Sequence, residues 1–266
     1  MPDSLTLRHA FPVLAAFAAL LTAGMAALVH FTAQRQPDGD RWPLRIQHLA
    51  LQTPWNWQDV GKLLLLFSFG QLVHIGLPPT LIWSMATFQG LLLLGILWLA
   101  RRKSNPFGIP LPWSGVITQA SLRWLAALPL LWFSAFVWQL LLKAIGHSPD
   151  LQLSLRLFLG ITGLGPKIAF LLFAVFIAPI VEEVLFRGIL LPLLARTIGP
   201  GPALALTSLS FAAIHADIGS LPALALLAVA LSLAFARTRS LCVPIAMHML
   251  FNGINLLLLF VLMHTG

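Results

Sequence analysis

The sequence predicts an all-α, polytopic integral membrane protein with about eight transmembrane helices. Of its 266 residues, 59% are hydrophobic and only 9% are charged, whereas soluble domains carry about 25% charged residues. The apolar residues are gathered into long runs, and the basic residues stand at the ends of those runs rather than in one patch. This distribution argues against a nucleic-acid partner despite a net charge of +8. The simplest organisation is one membrane domain over residues 1–266.

Eight apolar runs approach the length of about 20 residues that a helix needs to cross the hydrocarbon core. The first run could instead be a signal peptide, but it continues well past a candidate small-residue cleavage site, which favours a retained helix. Segment 147–167 mixes leucines with polar residues and is interpreted as a loop, with an interfacial helix as the alternative. The runs span residues 11–31, 61–78, 80–100, 125–145, 168–194, 202–217, 221–236 and 241–262.

Basic residues between the runs predict the orientation, because cytoplasmic loops carry an excess of Lys and Arg. If the helices alternate, one side receives segments 32–60 and 101–124 together with Arg196, Arg237 and Arg239. That side is predicted to be cytoplasmic, with both termini outside. The predicted location is a bacterial inner membrane.

Several other residues have simpler interpretations. The Trp-rich residues 54–57 are interpreted as an anchor at the membrane interface. Gln71 and His74 are predicted to hydrogen bond between helices, and Asp217 to lie at a helix end or in a loop. Cys242 is the single cysteine, so the chain has no intrachain disulfide and no cysteine metal cluster.

The only two glutamates of the chain, Glu182 and Glu183, lie side by side within an apolar run. An ionisable group at bilayer depth costs about 2.5–3.5 kcal/mol on insertion scales, so it usually faces a functional cavity. In a helix, Glu183 and Arg187 share a face, while Glu182 points about 100° away. We therefore predict that Glu183 pairs with Arg187 and that Glu182 is free to act as a general base. The alternative is that both glutamates only form ion pairs between helices.

Two histidine motifs occupy later apolar runs. Phe211 and His215 are four residues apart, as are His248 and Asn252, so each pair shares a helix face. Either motif alone could simply hydrogen bond between helices. Together with Glu182, these groups could activate a water that attacks a carbonyl, with His248 and Asn252 donating hydrogen bonds to the oxyanion.

In this order the motifs Glu182–Arg187, Phe211–His215 and His248–Asn252 resemble those of the CPBP family of intramembrane proteases. This family is also called the CAAX protease and bacteriocin-processing (Abi) family. The resemblance implies a helical bundle like that of the CAAX endopeptidases, with an intramembrane cavity open to the cytoplasm. It also implies a catalytic core over residues 165–262, whereas the N-terminal helices over residues 1–164 carry no recognised motif.

The resemblance implies a role for each motif residue. Glu182 and His215 would activate the water, and His248 and Asn252 would hold the oxyanion. No cofactor is expected, because the family's better-studied members look like glutamate peptidases, although the family was long classed as metallopeptidases. A zinc ion held by Glu182, His215 and His248 is the alternative, since two His and one Glu match a catalytic zinc set. The supporting residues are Glu183, Arg187 and Phe211.

The predicted function is therefore an intramembrane endopeptidase that cleaves a membrane-anchored protein or peptide. A lipidated, CAAX-like C-terminal tail is one candidate substrate. The first alternative is a non-catalytic immunity or partner protein with the same fold. The second is a proton-coupled transporter, which the lack of a visible internal repeat disfavours. The predicted partners are the substrate and the lipid bilayer, and the sequence does not predict the oligomeric state.

Overall fold

The computed structural model describes residues 4–33, 41–75, 81–147 and 158–265. Within these ranges the chain is built from helices, joined by short turns. The principal helices are α1 (Ser4–Ala33), α2 (Trp42–Gln52), α3 (Trp57–Ile75), α4 (Leu81–Ala100), α5 (Trp113–Ala144), α6 (Leu164–Ile198), α7 (Pro200–Ala213), α8 (Leu221–Thr238) and α9 (Cys242–Thr265).

The predicted fold class, a polytopic helical membrane bundle, is confirmed. Large apolar side chains such as Phe133 and Leu65 are mostly exposed on the outer faces of the helices, as contact with lipid requires. Shorter apolar helical stretches complete the bundle at Thr87–Ala100 and Cys242–Leu258. Four helices in the described ranges are long and apolar enough to cross a membrane: Ala15–Ala33, Trp113–Ala144, Leu164–Ile198 and Leu221–Thr238.

Helix α2 lies inside a segment that the sequence analysis treated as a loop. It buries Ile46, Leu49 and Ala50 against the bundle and exposes its remaining face. Arg196, near the end of α6, donates hydrogen bonds to the Ala50 carbonyl, so α2 is fixed to the site-bearing half of the chain. A short helix with one narrow apolar face has no long apolar run, and a search for membrane spans therefore does not detect it.

Two predicted boundaries also differ. Helix α5 begins at Trp113, well before the predicted run at residue 125. The prediction missed its first turns because polar residues such as Gln119 interrupt their apolar pattern. Helix α7 ends at Ala213, so His215 lies in the turn between α7 and α8 rather than on a helix. The prediction that Asp217 is a helix-end or loop residue is confirmed, since Asp217 accepts a hydrogen bond from the Gly219 N–H within that turn.

Trp55 is not the interfacial anchor that the sequence predicted. Its side chain is buried, and its indole N–H donates to the Pro106 carbonyl at 3.1 Å. A buried indole N–H usually finds such a partner. Trp57 is about half exposed, as expected of an anchor. The side chains of Gln71 and His74 lie outside those that the structure describes, so their predicted role stays a prediction.

Helix α1 packs closely along α5. The rings of Phe17 and Trp132 stack with centroids 4.2 Å apart. At Gly24 the two backbones come so close that a Cβ atom would lie 2.7 Å from the Leu125 carbonyl oxygen and 2.9 Å from Pro129 Cδ. These contacts make α1 part of the bundle, and its retention in the mature protein stays a prediction.

Residues assigned by sequence to the cytoplasmic side meet at one end of the bundle. Lys103 forms an ion pair with Asp59 at 2.7 Å. The loop after α4 also pairs with the turn between α8 and α9, because Gly108 and Ser240 form an isolated antiparallel bridge. The basic loops therefore share one end, as the alternating arrangement requires.

Candidate active site

Helix α6 carries both glutamates on a short α-helical segment between two π-helical turns. The segment Ala178–Glu183 is α-helical, while Phe173–Ile177 and Val184–Leu190 have the wider π geometry. Such turns change the angular offset between successive side chains and occur often at functional sites. The regular helical angles used in the sequence analysis therefore apply within the glutamate segment but not on either side of it.

The predicted pair of Glu183 and Arg187 is present and deeply buried. Arg187 Nη1 donates to Glu183 Oε1 at 2.8 Å, and both side chains are almost fully inaccessible. Arg187 Nη2 donates to the Ala228 carbonyl on α8 at 3.1 Å. The guanidinium therefore neutralises Glu183 and ties α6 to α8 at the same time. A charge this deep requires both kinds of contact.

His248 lies between the two carboxylates. Its Nδ1 is 2.8 Å from Glu183 Oε1, and its Nε2 is 3.8 Å from Glu182 Oε2. An ionised carboxylate only accepts hydrogen bonds, so Nδ1 carries the hydrogen and donates it to Glu183. Glu183 thus fixes the orientation of the imidazole and directs Nε2 towards Glu182, in the way that a carboxylate orients a histidine in many sites.

Glu182 differs from Glu183 in accessibility. The Glu182 side chain is 18% exposed, whereas that of Glu183 is 0% exposed. Of the two adjacent carboxylates, the one without an arginine partner in the described residues is therefore the one that water can reach.

Phe211 brings the three motifs together. Its ring is fully buried, with the His215 ring centroid at 4.8 Å and the His248 ring centroid at 5.7 Å. The guanidinium carbon of Arg187 lies 4.5 Å from the same ring centroid, a cation–π distance. Phe211 thus spaces the two imidazoles and covers the buried ion pair.

His215 lies just beyond the end of α7, in a turn fixed by α5. Its Nδ1 is 2.7 Å from the Phe211 carbonyl oxygen, which only accepts, so Nδ1–H is the donor and Nε2 is left for other partners. In the same turn, Trp138 donates to the Ile218 carbonyl at 2.6 Å and Gln139 to the Gly219 carbonyl at 3.2 Å. Two side chains of α5 therefore hold the segment that presents His215.

Asn252 is tied to the first π-helical turn of α6. The Ala178 N–H donates to the Phe173 carbonyl, and Pro179 has no N–H to offer the next carbonyl, that of Ala174. Asn252 Nδ2 donates to this Ala174 oxygen at 2.9 Å. One amide hydrogen therefore satisfies a carbonyl that the proline leaves without its backbone partner, and the second remains for another acceptor.

The residues of the alternative zinc set do not form a ligand group in the described part of the chain. No three His, Cys, Asp or Glu side chains there are placed to hold a metal ion. His248 Nδ1 is engaged with Glu183 and His215 Nδ1 with Phe211. Each imidazole keeps its Nε2 free, an arrangement that zinc-binding histidines also show, so the expectation of no cofactor stays a prediction that chelation tests.

The structure brings together all three predicted motifs and adds groups that the sequence analysis missed. These are the carbonyl oxygens of Ala174 and Ala228 and the side chains of Trp138 and Gln139. Pro179, five residues after Ala174, is the one sequence signal for an unpaired carbonyl. The other contacts join residues far apart in the chain, and no local pattern predicts them.

Comparison with known proteins identifies the part of the chain that holds this site. The family model described as type II CAAX prenyl endopeptidase Rce1-like matches residues 164–254. This span begins with α6 and includes all three motifs, so the resemblance to the CPBP proteases is confirmed. The match supports an intramembrane endopeptidase in general. No curated protein and no solved structure matched the chain.

Proposed function

We propose that the chain hydrolyses a peptide bond of a membrane-anchored protein with Glu182 as the general base, because residues 164–254 match the family model of the Rce1-like CAAX endopeptidases. One observation carries the proposal. Glu182 is the accessible carboxylate and lies 3.8 Å from His248 Nε2, whereas Glu183 is buried in an ion pair with Arg187.

In the proposed reaction, Glu182 removes a proton from a water as the water oxygen attacks the carbonyl carbon of the scissile bond. His215 Nε2 orients this water. The attack forms a tetrahedral intermediate with a negative oxygen. When the intermediate collapses, the carbon–nitrogen bond breaks and the proton held by Glu182 passes to the departing amine. The products are a carboxylate and an amine, and no covalent enzyme intermediate forms.

The developing oxyanion is stabilised from α9. The second amide hydrogen of Asn252 and His248 in its protonated form are the donors that we propose for it. His248 serves as such a donor through Nε2, which lies 3.8 Å from Glu182 Oε2 at the accessible side of the pair, when that atom carries a hydrogen. A pre-oriented donor of this kind contributes about 3–4 kcal/mol to transition-state stabilisation. The hydrogen bond of Asn252 to Ala174 supports this role, because it fixes the amide before substrate binds.

The substrate class that we propose is a membrane-anchored protein or peptide, with a lipidated C-terminal tail as the first candidate. The proposed location is a bacterial inner membrane, with the basic end of the bundle in the cytoplasm. The meeting of Lys103, Arg196 and the α8–α9 turn at one end supports this orientation.

The test compares membrane proteomes of cells that carry the wild type or Glu182→Gln at matched protein level. We expect peptide termini that depend on the wild type and vanish in the variant. Asp59→Asn is the control, because it changes a carboxylate to an amide at the Lys103–Asp59 ion pair, outside the candidate site, and should leave those termini in place. Identical termini in all three strains would refute the peptidase and favour the non-catalytic partner protein.

A transporter is distinguished by an uptake assay on the purified chain in reconstituted vesicles. A peptidase should show no proton-driven solute uptake, whereas a transporter should show uptake that is lost in Glu182→Gln. Uptake lost in that variant, together with unchanged peptide termini, would favour the proton-coupled carrier.

A further inference from the structure

The turn between α7 and α8 contains a residue in an unfavourable backbone conformation. Directly after His215, Ala216 adopts φ +49°, in the left-handed region. The Ala216 N–H donates to the Ala213 carbonyl at 3.0 Å, so the chain reverses at this residue as it leaves α7. A β carbon makes the left-handed region costly, and only glycine and, less often, asparagine and aspartate adopt it routinely. The turn that presents His215 therefore holds local strain.

Packing does not explain the alanine at this position. Its side chain is exposed, so the methyl group buries little surface. After α5 and α6 the chain places glycine at the left-handed position, with Gly146 at φ +76° and Gly199 at φ +85°. Arg239, which follows α8 at φ +54°, is held by pairing, because the Ile109 N–H donates to its carbonyl at 2.7 Å. In the described part of the chain, no backbone N–H pairs with the Ala216 carbonyl in this way.

Ala216 lies between two anchored parts of the turn. On the α7 side, His215 Nδ1 is 2.7 Å from the Phe211 carbonyl oxygen, to which it donates. On the other side, Trp138 of α5 donates to the Ile218 carbonyl at 2.6 Å. Because both flanks are fixed, the backbone angles of Ala216 determine how the chain runs between them. These angles therefore also determine where His215 Nε2 points.

From this geometry we propose that Ala216 is a positioning residue for His215, an inference that rests on the proposed peptidase function. Its β carbon restricts the backbone to few conformations and so keeps the imidazole in the orientation that water activation needs. Glycine would relieve the strain but would open further regions of φ and ψ. Strained residues of this kind cluster at functional sites, where the strain contributes to pre-organisation. Relief of the strain should therefore lower turnover without lowering stability.

The experiment compares kcat, KM and melting temperature of the purified full chain and its variants, on a membrane-anchored peptide identified by the proteome comparison. We expect Ala216→Gly to lower kcat about tenfold with little change in KM. Its melting temperature should be unchanged or higher, because glycine adopts the left-handed conformation without steric cost. Ala216→Asn keeps a β carbon and tolerates this conformation, so it should retain kcat.

The matched control relieves the same kind of strain outside the site. Arg239→Gly does so after α8, and comparison with Arg239→Ala cancels the effect of the lost charge. Relative to Arg239→Ala, Arg239→Gly should be at least as stable, and its kcat should be the same.

A second measurement does not depend on peptidase activity. The rate at which diethyl pyrocarbonate modifies His215, followed by mass spectrometry, reports how firmly the ring is held. We expect faster modification of His215 in Ala216→Gly than in the wild type, whereas the exposed His147 should react equally in both. A wild type that cleaves no peptide would refute the proposed function, and the modification rates would still decide the role of Ala216.

Four results would each overturn the proposal. The first is an unchanged kcat of Ala216→Gly in an active enzyme, and the second is an unchanged modification rate of His215. The third is a fall in kcat that accompanies a fall in melting temperature or a failure to fold, since Ala216 would then be purely structural. The fourth is an equal fall in kcat when Arg239→Gly is compared with Arg239→Ala, because the effect would then not be specific to the turn that carries His215.

Discussion

Two ion pairs of nearly equal length lie in different regions of the molecule and differ in their surroundings. Lys103 Nζ is 2.7 Å from Asp59 at the basic end of the bundle, and Arg187 Nη1 is 2.8 Å from Glu183 in its interior. The Lys103 side chain is 13% exposed, whereas that of Arg187 is 1% exposed. Distance alone therefore does not distinguish a pair that water can reach from one that it cannot.

The outer pair joins the loop after α4 to the first turn of α3. Lys103 Nζ also donates to the Pro54 carbonyl, and Asp59 exchanges hydrogen bonds with Asn56 at the start of α3. This reciprocal pattern satisfies backbone donors at a helix N-terminus. The contacts of this pair are thus explained by local structure.

The inner pair orients a catalytic candidate. Glu183 Oε1 accepts from both Arg187 and His248, and Arg187 also contacts the Phe211 ring. Among the described residues, the partners of this pair belong to the three motifs or are the Ala228 carbonyl that faces them. Comparison of the two pairs shows that the partners around an ion pair, rather than its length, indicate whether it serves a site.

The largest expected effect comes from breaking the inner pair. Arg187→Met leaves Glu183 buried without its cation, so we expect a loss of about 3–5 kcal/mol in the free energy of unfolding. The measurement is thermal or denaturant unfolding in detergent, with protein level in membranes as a second readout. The double variant Glu183→Gln/Arg187→Met removes both charges and should recover part of that loss. A single variant as stable as the wild type would contradict the structural role of the pair.

Asn252→Ala should act on turnover rather than on capture. It removes the donor that we propose for the oxyanion, so kcat should fall about a hundredfold or more while KM changes little. Steady-state kinetics on a membrane-anchored peptide identified by the proteome comparison would measure both. A rise in KM with unchanged kcat would instead assign Asn252 to substrate binding, with its Ala174 contact purely structural.

Trp138→Phe tests the turn that carries His215. The variant keeps the aromatic ring and removes the N–H that bonds the Ile218 carbonyl, so we expect kcat to fall about tenfold as His215 loses its fixed position. The melting temperature should fall by only a few degrees. Trp124→Phe is the matched control, because its indole N–H has no hydrogen-bond partner in the described part of the chain. Equal activity of the two variants would show that the turn does not depend on α5.

Breaking the outer pair should have a smaller effect on stability than breaking the inner one. Lys103→Met removes one partly exposed cation while Asp59 keeps its bond to the Asn56 N–H, so we expect a loss of about 1 kcal/mol and unchanged kcat. The same unfolding assay measures this value beside that of Arg187→Met. A loss as large as that of Arg187→Met would show that depth in the bundle does not separate the two pairs.

Chelation should have the smallest effect. Since the alternative zinc residues Glu182, His215 and His248 do not form a ligand group, exhaustive chelation is expected to leave peptidase activity unchanged. Activity before and after treatment with a chelator, followed by added zinc, measures this. Complete loss with rescue by zinc would replace the glutamate mechanism with a metal mechanism.

The sequence predicted the site through spacing. The four-residue interval between Glu183 and Arg187 in an apolar run predicted their contact, which is present although Arg187 lies in a π-helical turn. The angular repeat of a regular α-helix did not predict side-chain positions where the chain departs from α-helical geometry. The π-helical turns around the glutamates and the end of α7 before His215 are departures from a regular helix, and no local interval in the sequence marks them.

Composition and periodicity by themselves determined that this chain is a helical membrane protein with two ionisable carboxylates at depth, because apolar length and charge position are local properties of a sequence. Only the tertiary structure decided that His248 lies between those carboxylates and that Asn252 bonds the carbonyl left unpaired by Pro179. These contacts join residues from distant parts of the chain. Their distances result from helix packing, which no local interval in the sequence encodes.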